Sequence, residues 1–179
     1  MRSVIRGSLV SFALGLLVCP LGAGGRKDRT PEMDAAAKAF LKAYQAKDLE
    51  AMMGAADVPF LVGTLRDARI LKKSADLRAE LKSRLSTSGK FPALVAKTLT
   101  WDKAISSGLS ADEERNTRER LKPAIQITGG DGGYAALADY AAGTKNKRWL
   151  AISDKRLLVG IRNGKAKVVG ILLDAPDKR

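Results

Sequence analysis

Residues 157–174 read LLVGIRNGKAKVVGILLD, two apolar runs joined by Asn163-Gly164. Both residues of a two-residue hairpin turn must accept positive φ, and Asn-Gly does so at the least cost, so the stretch predicts a β-hairpin. That loop sets Arg162 against Lys165, Ile161 against Ala166 and Gly160 against Lys167. Continued without interruption, the register puts Gly170 opposite Leu157 and the two glycines on different faces. One face then carries Leu157, Val159, Ile161, Ala166, Val168, Gly170 and Leu172 and is core. The other is apolar at its base, with Leu158, Val169 and Ile171, and basic at its tip, with Arg162, Lys165 and Lys167. That change of character predicts a layer covering only the base.

Upstream of the hairpin, RWLAIS (148–153) and AIQIT (124–128) read as strands, and YAALADYAA (134–142) fits either strand or helix. The strand reading is preferred, because GTKNK (143–147) then forms a loop into RWLAIS. Ser110 and Glu113 have capping-box spacing and open a helix that Pro123 is expected to stop. The intervening DEERNTRER (112–120) has almost no apolar face and reads as a charged helical excursion at about 110–122.

The first half of the chain is helical in period. Thr30-Pro31 reads as N-cap and first helical residue, followed by Met33, Ala36, Ala37, Phe40, Leu41 and Tyr44 on one stripe. Asp48 caps a short second helix with Leu49, Met52 and Met53 inward. VPFLVG (58–63) is a strand in which Pro59 is expected only at the start or on an edge. Residues 68–73 return as its partner across a turn at Thr64–Asp67. Ser74 then caps a helix with Leu77, Leu81 and Leu85 on one face, and FPALVAKTLTW (91–101) leans towards strand.

Before all of this, Arg2 and Arg6 precede the apolar run SLVSFALGLLVC (8–19), and small residues follow in LGAGG (21–25). This is the pattern of a secretory signal peptide over residues 1–25, with cleavage near Ala23-Gly24. The expected location is therefore periplasmic or extracellular. Lipid anchoring through Cys19 is the weaker alternative, because Val18 stands where lipidation favours a small residue. Residues 26–30 are a polar lead-in, 31–174 a single domain and 175–179 a tail.

The chain holds no histidine, and Cys19 is its one cysteine. With the leader removed, the chain is expected to have no disulfide, no imidazole–thiolate zinc site and no histidine-based nucleophilic catalysis. Loss of Arg2 and Arg6 leaves 30 basic residues against 19 acidic, a net charge of +11. Such a charge favours weak association with anionic envelope polymers or lipid surfaces. Nucleic acid is not expected, since few aromatics are interleaved with the basic groups. The remaining acid–base candidates are Asp57, Asp102, Asp154, Tyr44, Tyr134 and Tyr140, and no spacing pairs any two of them. Gly130, Gly132 and Ala135 match G-x-G-x-x-A after a predicted strand, a minor nucleotide-binding alternative with Asp154 as the ribose acid.

AAAKAFLKAYQAKDLEAMMGAADVPFLVG (35–63) resembles the opening of the nuclear transport factor 2-like superfamily, which includes SnoaL-like domains. Its long helix ends at a short polar corner, here Lys47-Asp48-Leu49-Glu50, and a second helix leads into the first strand. LLVGIRNGKAKVVGILL is similar to the terminal hairpin of those folds. The resemblance implies an α+β single domain, with helices packed on a curved, mainly antiparallel, cone-like sheet around a pocket. Members include isomerases, dehydratases and hydrolases as well as non-enzymatic binding and protein-association domains. This chain matches no catalytic pattern of the family, so no catalytic residue, metal or cofactor is carried over. Phe40, Tyr44 and Trp101 are candidate pocket walls, and Arg162, Lys165 and Lys167 a candidate basic surface. The expected function is an exported non-catalytic binding module for an unknown small molecule or protein, with homodimerisation as a further partner expectation. The alternative is a histidine-free acid–base enzyme on the same fold.

Overall fold

The computed structural model describes residues 28–64, 67–86, 94–105, 110–138 and 156–172. The predicted leader, Cys19, the strand at 148–153, Tyr140, Asp154 and the tail lie outside the described residues.

Helix α1 (Thr30–Gln45) buries Met33, Ala37, Phe40, Leu41 and Ala43, the face that its apolar period marks. It starts one residue earlier than Thr30-Pro31 predicts. Arg29 occupies the cap position without a side-chain cap bond, and Asp28 Oδ1 instead accepts from Thr30 N–H at 3.0 Å. At the far end, Lys47 N–H donates to Tyr44 O and Asp48 N–H to Ala43 O, with Lys47 at φ 55°. That is a Schellman ending with lysine in the left-handed position. Asp48 at once caps α2 (Leu49–Ala55), its carboxylate accepting from Ala51 N–H at 2.9 Å.

Strand β1 (Ala56–Gly63) pairs antiparallel with β2 (Ala68–Leu71), and α3 (Ser74–Ser86) follows with Leu77 and Leu81 buried. Lys73, not Ser74, accepts the first helical bond, from Leu77 N–H at 3.1 Å. Pro59 lies inside β1, a strand paired on both sides, contrary to the edge expectation. It fits because the pairing of β1 with its other neighbour, the strand Lys165–Leu172, shifts register between Ala56 and Leu61, and the pairing with β2 begins only at Phe60. A missing N–H costs nothing where the ladder is interrupted.

Strand β3 (Leu94–Thr100) runs into the short helix α4 (Trp101–Ile105), so Trp101 opens a helix and does not end the strand. The larger correction is α5 (Ala111–Thr128), which has the predicted capping box but runs through Pro123. Residues 124–128, expected as a strand, form its last turns. Leu121, Ala124, Ile127 and Thr128 make a helical stripe that is buried, whereas a strand would have shown Ile125 and Ile127 on one face. The excursion is therefore only the outer part of a helix whose inner end is anchored in the core.

Strand β4 (Gly133–Ala138) agrees with the preferred reading of that segment as far as it is described. Strands β5 (Arg156–Arg162) and β6 (Lys165–Leu172) form the hairpin about Asn163-Gly164, both at positive φ. Among the described residues, six strands make one open sheet in the order β2-β1-β6-β5-β4-β3, parallel only between β1 and β6. Three register irregularities bend it. The result is a single α+β domain with helices on a curved, mainly antiparallel sheet.

Hairpin pairing follows the expected register from Arg162–Lys165 to Val159–Val168, then shifts so that Gly170 meets Leu158 and Ile171 meets Leu157. This bulge leaves Val169 on its expected face with Leu158 and overturns the face assignment from Gly170 onward. Ile171 joins the α1–α3 side with Leu157 and Val159, while Leu158, Val169 and Leu172 join the α4–α5 side. Gly160 and Gly170 consequently share a face. A Cβ at Gly160 would lie 3.0 Å from Thr128 O of α5, and one at Gly170 2.8 Å from both Leu61 O and Leu158 Cδ1.

Candidate functional site

A cleft of about 270 Å³ opens where the N-terminal lead-in meets α4 and the turn after α5. Its walls are Asp28, Arg29, Thr100, Asp102, Lys103, Gly130 and Asp131. Local sequence explains the arrangement. Trp101 turns inward to open α4, leaving its neighbours Thr100 and Asp102 at the mouth. The helix α5 ends at Gly129 (φ 76°), and Gly132 N–H closes a turn onto Gly129 O at 3.1 Å, which presents Gly130 and Asp131.

Charge in the cleft is arranged in pairs. Lys103 Nζ donates to Asp28 Oδ2 at 2.9 Å. Hydrogen bonds from Thr30 and then Lys103 hold the Asp28 carboxyl well below the usual carboxylate range. Arg29 reaches Glu32 at 3.4 Å and the Gly164 carbonyl of the hairpin turn at 3.3 Å. The cleft thus offers both charge signs on elements fixed to the core.

Behind it, under α5, lies a buried polar–aromatic cluster. Trp101 Nε1 donates to Thr128 Oγ1 at 2.6 Å, and that hydroxyl donates to Ala124 O at 2.9 Å. The Trp101 and Tyr134 rings lie 5.1 Å apart at 41°. The guanidinium of Arg156, a fully buried residue, sits 5.0 Å from the Tyr134 ring centroid. Burial pushes the Tyr134 hydroxyl pKa up, and the charge of Arg156 opposes this.

The three predicted pocket walls do not meet. Phe40 is fully buried between α1 and the sheet, amid Met33, Met52, Phe60, Leu77 and Leu81. Tyr44 packs on the rim of that cluster and its hydroxyl donates to Arg84 O at 3.4 Å. Trp101 lies on the opposite side of the sheet. Of the predicted basic surface, Lys165 is exposed, whereas half-buried Arg162 donates to Ile127 O at 2.6 Å and Lys167 Nζ to Gly54 O. Both contacts fall on carbonyls at helix C-terminal ends, where positive charge is favoured.

The glycine run does not carry the dinucleotide geometry, which needs a strand before it and a helix after it. Here a helix precedes it and β4 follows. A Cβ at Gly132 would meet Thr128 O at 2.5 Å, and one at Gly133 would meet Leu99 O at 2.1 Å. Close backbone packing is what these glycines provide.

Among the other candidates, Asp57 Oδ1 accepts from Val58 N–H at 2.8 Å and Asp102 lies at the cleft mouth. Sequence reasoning missed Asp28, Lys103 and Asp131 as site residues, because scattered charges have no periodic signal until the chain brings them together. No three acidic, histidine or cysteine side chains converge as a metal site among the described residues. None of the described helices is long and apolar enough to cross a membrane. No protein-family model, curated protein or solved structure matches this chain.

Proposed function

We propose that this chain is an exported, non-catalytic binding module of the nuclear transport factor 2-like type, which takes a small charged ligand in the cleft beside α4. The observation that carries the reading is the cleft itself, of about 270 Å³, whose walls carry the acids Asp28, Asp102 and Asp131 and the cations Arg29 and Lys103. A ligand bearing both an ammonium and a carboxylate, such as a free amino acid, is complementary to those walls. Export rests on the leader at residues 1–25. Support for the fold type comes from the order α1-α2-β1-β2-α3 followed, after β3, α4 and α5, by β4-β5-β6, with β6 returning beside β1.

Trp101 is the natural reporter, since it stands between the wall residues Thr100 and Asp102. Replacing Trp149 by Phe leaves it the sole tryptophan. Titration of that variant with glycine, glutamate and lysine should change its emission with at least one of them. The Lys103→Ala substitution should weaken that binding about tenfold. Unchanged emission across the panel, together with no small molecule retained in native mass spectrometry, would remove this reading.

A further inference from the structure

Among the described residues the sheet ends at β2, and that end is rich in basic side chains. Strand β2 lies last in the strand order, beyond β1, and exposes Ala68, Arg69 and Ile70. Ile70 is 48% exposed, the large apolar side chain that stands out to solvent among the described residues. It faces the same side of the sheet as its partner Leu61, but α5 covers Leu61 and stops short of Ile70.

Residues 68–86 contain six basic and two acidic side chains. Glu80 is shared between Arg69 and Arg84, and Arg78 goes to Glu50, with its Nη2 at 2.9 Å from Oε2. Lys72 and Lys73, directly after the strand, are exposed and have no ion pair among the described residues. An end strand presents unpaired N–H and C=O groups that another extended chain can satisfy. A second copy of this protein would bring the same cations to the same edge, and like charges set opposite one another are unfavourable.

We infer that the β2 edge is a docking site for an acidic, extended peptide segment of another protein, added as a seventh strand. Its backbone pairs with Ala68–Leu71, an apolar side chain lies on Ile70, and its carboxylates face Lys72 and Lys73. This surface is separate from the cleft and does not depend on what the cleft binds.

The test uses the full chain and a fluorescent octapeptide alternating Glu with Val, followed by anisotropy. Binding should weaken as salt rises and fall by about tenfold or more in the Lys72→Glu/Lys73→Glu variant. It should be unchanged in Lys165→Glu, whose substitution lies at the hairpin tip. Methylating alternate peptide amides should abolish binding, because strand addition uses the main chain. Equal binding of the methylated peptide, or of a Lys-Val peptide, would overturn the proposal. So would a dimer, seen by sedimentation, that only the edge substitutions abolish, or tighter binding to phosphatidylglycerol vesicles than to the peptide.

Discussion

Gly170 illustrates how much one missing side chain decides. It sits at the bulge where β6 pairs with both Leu61 of β1 and Leu158 of β5, and any Cβ there would press on Leu61 O at 2.8 Å. Backbone cannot yield as a side-chain tip can. Gly170→Ala should therefore cost about 1–3 kcal/mol, readable as a lower denaturation midpoint with an unchanged slope. Gly54 is the contrast, since a Cβ there meets nothing within 4 Å. Asp48 shows the opposite case, a residue whose role was legible at once. A short acid before LEAMM has one common use, and its carboxylate accepts from Ala51 N–H.

At the scale of elements, α5 is the informative one. Its opening was readable because Ser110 and Glu113 satisfy each other's backbone donors, a contact that needs no tertiary partner. Its end was not. Pro123 removes the N–H that would bond to Glu119 O, which as a local rule ends a helix. Burial of Leu121, Ala124 and Ile127 on the sheet outweighs that loss. Pro123 itself is exposed, so restoring the N–H disturbs no packing. Pro123→Ala should accordingly stabilise the protein, by about 1–3 kcal/mol, and raise the helical signal in circular dichroism. No gain in stability would mean that the bend at Pro123 is itself needed to seat the helix.

For the whole molecule, the hairpin tip acts as a tie point. Arg29 donates to Gly164 O, Arg162 to Ile127 O and Lys167 to Gly54 O, so the lead-in and the ends of α5 and α2 converge there. The basic tip predicted from the sequence therefore has structural duties for two of its three cations. Arg162→Gln should cost about 1–2 kcal/mol, as loss of a charge-assisted bond to a half-buried carbonyl does. Lys165→Gln should leave the thermal midpoint where it is. Equal effects of the two substitutions in thermal denaturation would show that the Arg162 contact contributes nothing.

What the sequence determined by itself was local: the Asn163-Gly164 turn, the caps at Asp48 and Ser110 and the stripe of α1. Each rests on contacts between residues a few positions apart, so spacing alone reveals it. Tertiary structure decided the rest. The bulge at Val168–Val169 moves Gly170 and Leu172 to the α5 side, because β6 must pair with β1 as well as with β5. A shift of one residue exchanges the two faces of a strand, and no periodicity within the hairpin records it. The cleft joins Asp28, Lys103 and Asp131 from three separate parts of the chain. Only the packing of the lead-in, α4 and the glycine turn around one buried tryptophan brings those charges together.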